Sequence, residues 1–313
     1  MRLSLLVTPL VHGAYFDAYL DVATREVETL VPGCEPKVHQ VGGMDFVEVD
    51  VPDGATTTLR RLSFVQGIFD DKGAPLEGSP AFAFPRSLVF GAKYRGRTNE
   101  IATQLALNLA LHHCNSGRTP ATLLDPLAGR GTTLLWGLRY GLKSSGIEVD
   151  AKAPDDLHRH LKRQAKIHRI KHQHRKGSVG PKTKSGAGRF VRYEFGEQSL
   201  QLVTGESQHA AALLAGQKFD VVVTDLPYGV QFGGPKGAIE GLVRACASAW
   251  IESLRPGGSL AVLFNTYQPS RTTAEAIFRD AGAEVVEVSL PHRVSESIVR
   301  DVLIVRRPQA SHR

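Results

Sequence analysis

Between Leu123 and Thr133 the chain reads L-L-D-P-L-A-G-R-G-T-T, and few folds can accommodate that stretch. Thr122, Leu123 and Leu124 run into Asp125. A Gly-x-Gly turn follows, and then an apolar-periodic run through Leu134, Leu135 and Leu138. This is the strand, glycine loop and helix of a nucleotide-binding βα unit. Glycines at 129 and 131 let backbone approach a ligand with no Cβ in the way, and the next helix start offers unpaired N–H groups.

The loop also excludes ligands. A dinucleotide fingerprint requires Gly or Ala three residues after the second glycine, and Leu134 stands there. No Gly-Lys-Ser/Thr triplet follows, so a P-loop is ruled out. A carboxylate just before the glycines, with no device for a pyrophosphate, suits a ligand with a cationic amino-acid end. S-adenosylmethionine (SAM) is such a ligand.

Around this unit, helix and strand patterns alternate, predicting an α/β domain with a mostly parallel sheet. Ser145–Glu148 reads as a second strand ending in an acid, and Glu148 is the candidate acceptor for ribose hydroxyls. Pro154–Arg175 reads as a basic helix, and the Gly/Lys/Ser-rich stretch 177–188 as a mobile inserted loop. His168 and His172 stand one helical turn apart, a metal-ligand spacing, but no cysteine or carboxylate accompanies them, and a solvated basic face is the expected reading. Ser199–Thr204 is a third strand, followed by Glu206, an acceptor for an adenine amino group. The nearly continuous apolar run Phe219–Thr224 is a central strand that delivers Asp225-Leu226-Pro227-Tyr228 at its C-terminal end. A helix through Ile239 and Leu254, a strand at Ser259–Phe264, a helix at 271–281 and an antiparallel pair, Glu284–Leu290 with Arg300–Val305, complete the pattern.

Residues 1–90 predict a small α/β module, with a helix at Tyr19–Leu30 and strands at Val47–Val51 and Leu62–Phe69. The expected division is therefore 1–90 and 91–313. Charge divides the same way. The first part holds 7 Lys/Arg against 12 Asp/Glu, although the whole chain carries +7. Residues 151–195 alone hold 13 Lys/Arg against 3 Asp/Glu, a pattern that predicts a polyanionic partner. Three well-separated cysteines read as reduced and cytoplasmic, and no apolar stretch reaches membrane length.

The D-L-P-Y segment carries the expected chemistry. An exocyclic amine on a nucleobase is a poor nucleophile because its lone pair is conjugated into the ring. Acceptors aimed at its N–H groups favour pyramidalisation as charge develops. Asp225 offers a carboxylate, Leu226 a main-chain carbonyl, Pro227 a rigid turn and Tyr228 a face on which a base stacks.

Together, D-P-L-A-G-R-G-T-T, G-I-E-V-D and T-D-L-P-Y-G resemble a class I SAM-dependent methyltransferase of the amino-methylating type. The tRNA guanosine-N2 group related to THUMP-associated enzymes is the nearest likeness, and K-Y-R-G-R-T-N-E at 93–100 is similar to the segment before its first strand. The resemblance covers about residues 91–306. It implies a seven-stranded Rossmann-like sheet with the last strand antiparallel. It also implies that Asp125, Ala128 and Gly129, with Gly131 and Thr132 of the same loop, meet SAM, with Glu148 on the ribose and Glu206 on the adenine. Thr98 and Asn99 would lie near the methionine end, and Asp225–Tyr228 would hold the target base. RNA, tRNA first, is the expected partner, bound through 151–195. Alternatives are adenine or cytosine amino groups in DNA or rRNA, or a catalytically silent RNA-binding protein. In this chain Leu226 replaces the first proline of the usual D-P-P-Y, and residues 1–90 do not read as a full THUMP module.

Overall fold

The structure is a computed structural model and describes residues 1–52, 54–91, 98–179, 188–227, 237–295 and 298–309. Residues 1–69 build an antiparallel sheet from β1 (Arg2–Val7), β2 (Lys37–Val41), β3 (Met44–Asp50) and β4 (Val65–Phe69), in the order β2-β3-β1-β4. Val47 and Val49 alternate inward with half-buried or exposed Phe46, Glu48 and Asp50 between them, as one-sided burial demands. Helix α1 (Tyr19–Leu30) buries Val22, Ala23 and Val27 on its inner stripe, together with an acid that apolar periodicity does not reveal, Glu26.

From α2 onward, the larger unit runs α2 (Glu100–His113), β5 (Thr122–Asp125), α3 (Thr132–Arg139), β6 (Lys143–Glu148), α4 (Ala153–Ile167), β7 (Gln173–Val179) and β8 (Gly188–Phe195). It continues through β9 (Gln198–Thr204), β10 (Phe219–Asp225), α5 (Ala238–Ser253), β11 (Leu254–Asn265), α6 (Arg271–Asp280), β12 (Glu284–Val286), β13 (His292–Ser295) and β14 (Ile298–Arg306). The strands form one sheet in the order β12-β14-β11-β10-β5-β6-β9-β8-β7, with β13 paired to β14. Within it, β9, β6, β5, β10 and β11 are mutually parallel, and β14 runs antiparallel to β11. The seven strands from β9 to β12 make the Rossmann-like core, last strand antiparallel.

Among the described residues the hairpin β7–β8 extends this core beyond β9 and β13 adds to β14, giving ten strands in one sheet. Three expectations about single elements are corrected. The basic helix does not reach Arg175 but ends at Ile167, with Arg169 in a left-handed conformation at φ 51°. Residues 173–179, read partly as helix and partly as loop, form β7 instead. His174 and Lys176 alternate along it and face Tyr193 and Val191 of β8, a period-2 pattern hidden by uniform polarity. The strand after α5 starts at Leu254, so Pro256 and Gly257 lie within β11, beside the register shift where it meets β10.

Strand β10 is buried on both faces, with Val221 and Val223 in one core cluster and Val222 in the other. The first cluster is continuous from Leu3, Leu5 and Val49 of the small sheet to Leu105, Leu134 and Leu202 of the large unit. The second packs α5 and α6 on the opposite face through Trp250 and Phe278. A buried polar cluster also joins the two sheets' layers. The Glu26 carboxylate accepts from Ser63 N at 2.9 Å, Ser63 Oγ at 2.6 Å and Asn108 Nδ2 at 2.8 Å. Asn108 and Tyr140 both donate to the Arg61 carbonyl.

Candidate active site

Parallel pairing brings the ends of β5, β6, β9 and β10 to one edge of the sheet. Register pairs Asp125 with Gly146, Glu148 with Thr204, and Asp225 with Leu263. Asp125, Glu148, Glu206 and Asp225 therefore stand along the same rim, where open α/β sheets take ligands.

The glycine loop is held down on this rim by its own amides. Ala128 N donates to Ile147 O at 2.9 Å, Gly129 N to Glu148 Oε2 at 2.8 Å, and Gly131 N to Ala128 O at 2.7 Å. Gly129 and Gly131 have φ of 52° and 88°, which a side chain would strain, and Gly131 also abuts Leu157. A pyrophosphate-binding loop must keep such N–H groups free for the ligand. Here they are spent, as expected from a loop without the dinucleotide or P-loop pattern. Arg130 gives no phosphate contact either, because Nε pairs with Asp156 at 2.7 Å and Nη2 with Asp150 at 2.8 Å. Thr132 opens α3 and is buried.

Two further glycines, given no role in the sequence expectations, make this geometry possible. A Cβ on Gly146 would lie 2.7 Å from the Ala128 Cβ and 2.8 Å from Leu134 Cδ1, so its absence lets the loop and α3 sit against β6. Gly137 does the same lower on α3, where a Cβ would collide with Leu123 and Ser144. The close helix–strand packing that a dinucleotide fold obtains at its third glycine is thus obtained elsewhere. The signal was a lone glycine inside each element, usually a mark of close approach.

Asp125 is 3% exposed, and Oδ1 accepts from Leu127 N at 3.0 Å. Burial pushes its carboxyl up to about 7. Hydrogen bonds from Thr133, Leu127 and Thr224 oppose that rise, and the Asp225 charge adds to it. Asp125 therefore organises the turn, and its ionised form is one that a cationic ligand would stabilise. Glu148 is half-buried, with Oε1 accepting from Asp150 N at 2.9 Å and Oε2 from Gly129 N. Each oxygen retains a further lone pair for a hydroxyl.

The other predicted residues fall as follows. Asn99 caps α2, its Oδ1 accepting from Ile101 N and Ala102 N, while Nδ2 donates to Gly13 O at 3.1 Å. Thr98 is half-buried just before it. Glu206 is exposed and accepts from Gln208 Nε2 at 2.7 Å. Asp225 ends β10, and Leu226 turns its side chain into the core at 2% exposure. Leu226 N donates to Leu263 O at 2.8 Å, a bond that a proline at this position could not make. Pro227 is half-buried, and Tyr228 lies outside the described residues, as do 92–97 and 180–187. His168 and His172 do not share a helical face, because α4 has ended before them. His168 Nε2 bonds Ser87 Oγ at 2.6 Å, while the His172 ring lies against Tyr193 with centroids 5.3 Å apart.

Residues 196–293 match the RMKL-like methyltransferase domain family, UPF0020. No curated protein matches the sequence. Among solved structures, TrmN from Thermus thermophilus is similar at 15% identity and a TM-score of 0.45 over 88% of this chain, which spans only 60% of that protein's length. A methyltransferase from Pyrococcus furiosus is similar at 16% identity and 0.45, covering 71% of this chain and 92% of that one. The N-methyltransferase NodS from Bradyrhizobium japonicum is similar at 13% and 0.42, with 66% and 95% covered. Likeness at this level carries no residue roles over to this chain. Among the described residues, no helix is long and apolar enough to cross a membrane.

Proposed function

We propose that this chain is a SAM-dependent methyltransferase acting on an exocyclic amino group in RNA, with guanosine N2 of tRNA as the first candidate and the cytoplasm as its compartment. The observation that carries the cofactor reading is the rim itself. The amides of Ala128, Gly129 and Gly131 in its glycine loop are already bonded, and the surrounding acids are Asp125, Glu148 and Asp225. Such a site repels polyphosphates and suits a ligand with a positive sulfonium and ammonium. The family match over 196–293, which includes Asp225–Pro227, supports the same reaction class.

When bound, SAM supplies an electrophilic methyl group. Glu148 would take the ribose hydroxyls, and Asp125, with Ala128 and Gly129, the amino-acid end. Asp225, close enough to Asp125 to raise its pKa, accepts from the target amine's N–H. The Leu226 carbonyl is the second acceptor, and the bond from Leu226 N to Leu263 O holds this turn to the end of β11. Residues 91–313 would carry the transfer, with 1–90 packed against them as a separate module and the basic surface of 151–195 contacting RNA.

Mass spectrometry of nucleosides from tRNA and rRNA, with wild-type protein and Asp225→Ala, tests this reading. The wild type should produce N2-methylguanosine in tRNA. The variant should lose transfer while its calorimetric affinity for SAM stays within about twofold. An active variant removes Asp225 from the chemistry, a different methylated base redirects the substrate, and no heat with SAM overturns the cofactor.

A further inference from the structure

A cavity of about 280 Å³ opens where the small sheet meets α2 and α3, and its character is opposite to that of the acidic rim. Arg60, Arg86 and Arg139 line it with the rings of Phe82, Phe90 and Trp136, and none of its lining residues is acidic. Arg139 is 6% exposed. Its Nε donates to Phe84 O at 3.0 Å, and its guanidinium carbon lies 4.1 Å from the Phe82 ring centre and 4.8 Å from that of Trp136.

Among the described residues no carboxylate pairs with Arg139. Burial is the main influence on its pKa, which falls to about 10; Tyr140 opposes that fall and Arg86 adds to it. The group is therefore a buried cation at neutral pH, one that chains normally pair with an anion. Arg86 is exposed and lies over the Phe90 ring at 4.7 Å. Arg60 donates to Leu76 O at 2.6 Å beside Gly78, where a Cβ would stand 2.9 Å from Arg60 Nη2.

We propose that this cavity binds a phosphate monoester, either a free nucleoside monophosphate or the phosphorylated end of an RNA. Guanidinium forks match the oxygens of a tetrahedral dianion, and the aromatic walls suit the organic group attached to it. At this volume the cavity lies just below the usual range of small-ligand pockets, about 300–1,000 Å³, so it fits one phosphorylated group and not a length of polymer. The site is independent of the methyl-transfer reading, and SAM titration of the same variants tests that reading separately.

Calorimetry and the fluorescence of Trp136 report binding of four probes: AMP, adenosine, and one short RNA with either a 5′-phosphate or a 5′-hydroxyl. Trp250, the other tryptophan, is fully buried in the second core cluster and gives a constant background. AMP or the 5′-phosphorylated RNA should bind saturably, at least tenfold more tightly than its unphosphorylated counterpart. AMP binding identifies a free nucleotide as the source, and binding by the phosphorylated RNA alone identifies an RNA end. Arg86→Gln, at an exposed position that folding tolerates, should weaken binding about tenfold, and Arg86→Lys less. Equal affinity of phosphorylated and unphosphorylated probes, no binding by either phosphorylated probe, or an unchanged Arg86→Gln would overturn the proposal.

Discussion

Gly146→Ala probes the glycine loop without replacing any residue assigned to a ligand. The added Cβ would sit 2.7 Å from the Ala128 Cβ, 2.8 Å from Leu134 Cδ1 and 3.1 Å from Leu202 Cδ1, against about 3.5–4.0 Å for a comfortable carbon pair. The two leucine methyls can rotate away. The Ala128 Cβ cannot, because it rides on a backbone tied to β6 by Ala128 N–Ile147 O and Gly129 N–Glu148 Oε2. Relief therefore requires the loop to lift from β6 by roughly 1 Å, stretching both bonds, and overpacking of this kind costs about 1–3 kcal/mol. Reduced freedom of the unfolded chain returns at most about 1 kcal/mol. Urea unfolding should show a net loss near 1–2 kcal/mol. SAM affinity by calorimetry should fall about tenfold, since displacing Gly129 and Glu148 by that much removes about 1.4 kcal/mol of binding. Gly241→Ala is the control. It lies on an exposed turn of α5 with nothing within 4 Å of its would-be Cβ, and should stabilise by up to about 1 kcal/mol. If Gly146→Ala keeps both stability and affinity, loop seating on β6 is not what shapes the pocket.

Two further outcomes follow from charge. Burial raises the Glu26 carboxyl from 4.5 to about 7, against the hydrogen bonds from Ser63 and Asn108. Between those values the native state holds a proton that the unfolded state has released, so stability falls as pH rises from about 4.5 to 7, by roughly 3 kcal/mol for this group. Glu26→Gln should flatten that fall in urea melts recorded between pH 5 and 8, gaining most at pH 8; an unaltered profile would mean that Glu26 is ionised in the fold. On α4, Lys162, Arg163 and Lys166 are exposed along one face with Arg159. Reversing those three charges should weaken RNA binding and reduce its slope against log salt by about 2–3, measured by filter binding at 50–200 mM salt. An unchanged slope would make this face a merely solvated one.

The succession of core strands and the acids at their ends were legible in the sequence because each signal was local. Asp125 before the glycines, Glu148 after the second strand and the apolar run into Asp225 are spaced by single elements, and alternation forces their ends to one edge. Other features were hidden because they depend on pairings distant in sequence. Hairpin β7–β8 has no apolar alternation on its outer strand, and its order comes from pairing with Arg189–Glu194. Glu26 reads as a surface acid on α1 until Ser63 and Asn108 close over it from 37 and 82 residues away.

Asp125 shows how a legible residue can still have an illegible role. Its position in front of the glycines is explicit in the chain, and a positive ligand end is the natural partner to infer. What only the fold supplies is Thr133 and Thr224 beside it and Asp225 near enough to add to its proton affinity. The carboxyl is thereby poised near neutrality, so a cation arriving at the rim would draw it into the ionised form and tighten the turn that the loop begins from. The Asp225 charge is the last and smallest of the influences on Asp125, and it acts in the same direction as burial. Two strand ends that the sequence presents 100 residues apart are thereby near enough for the charge on one to favour the proton on the other.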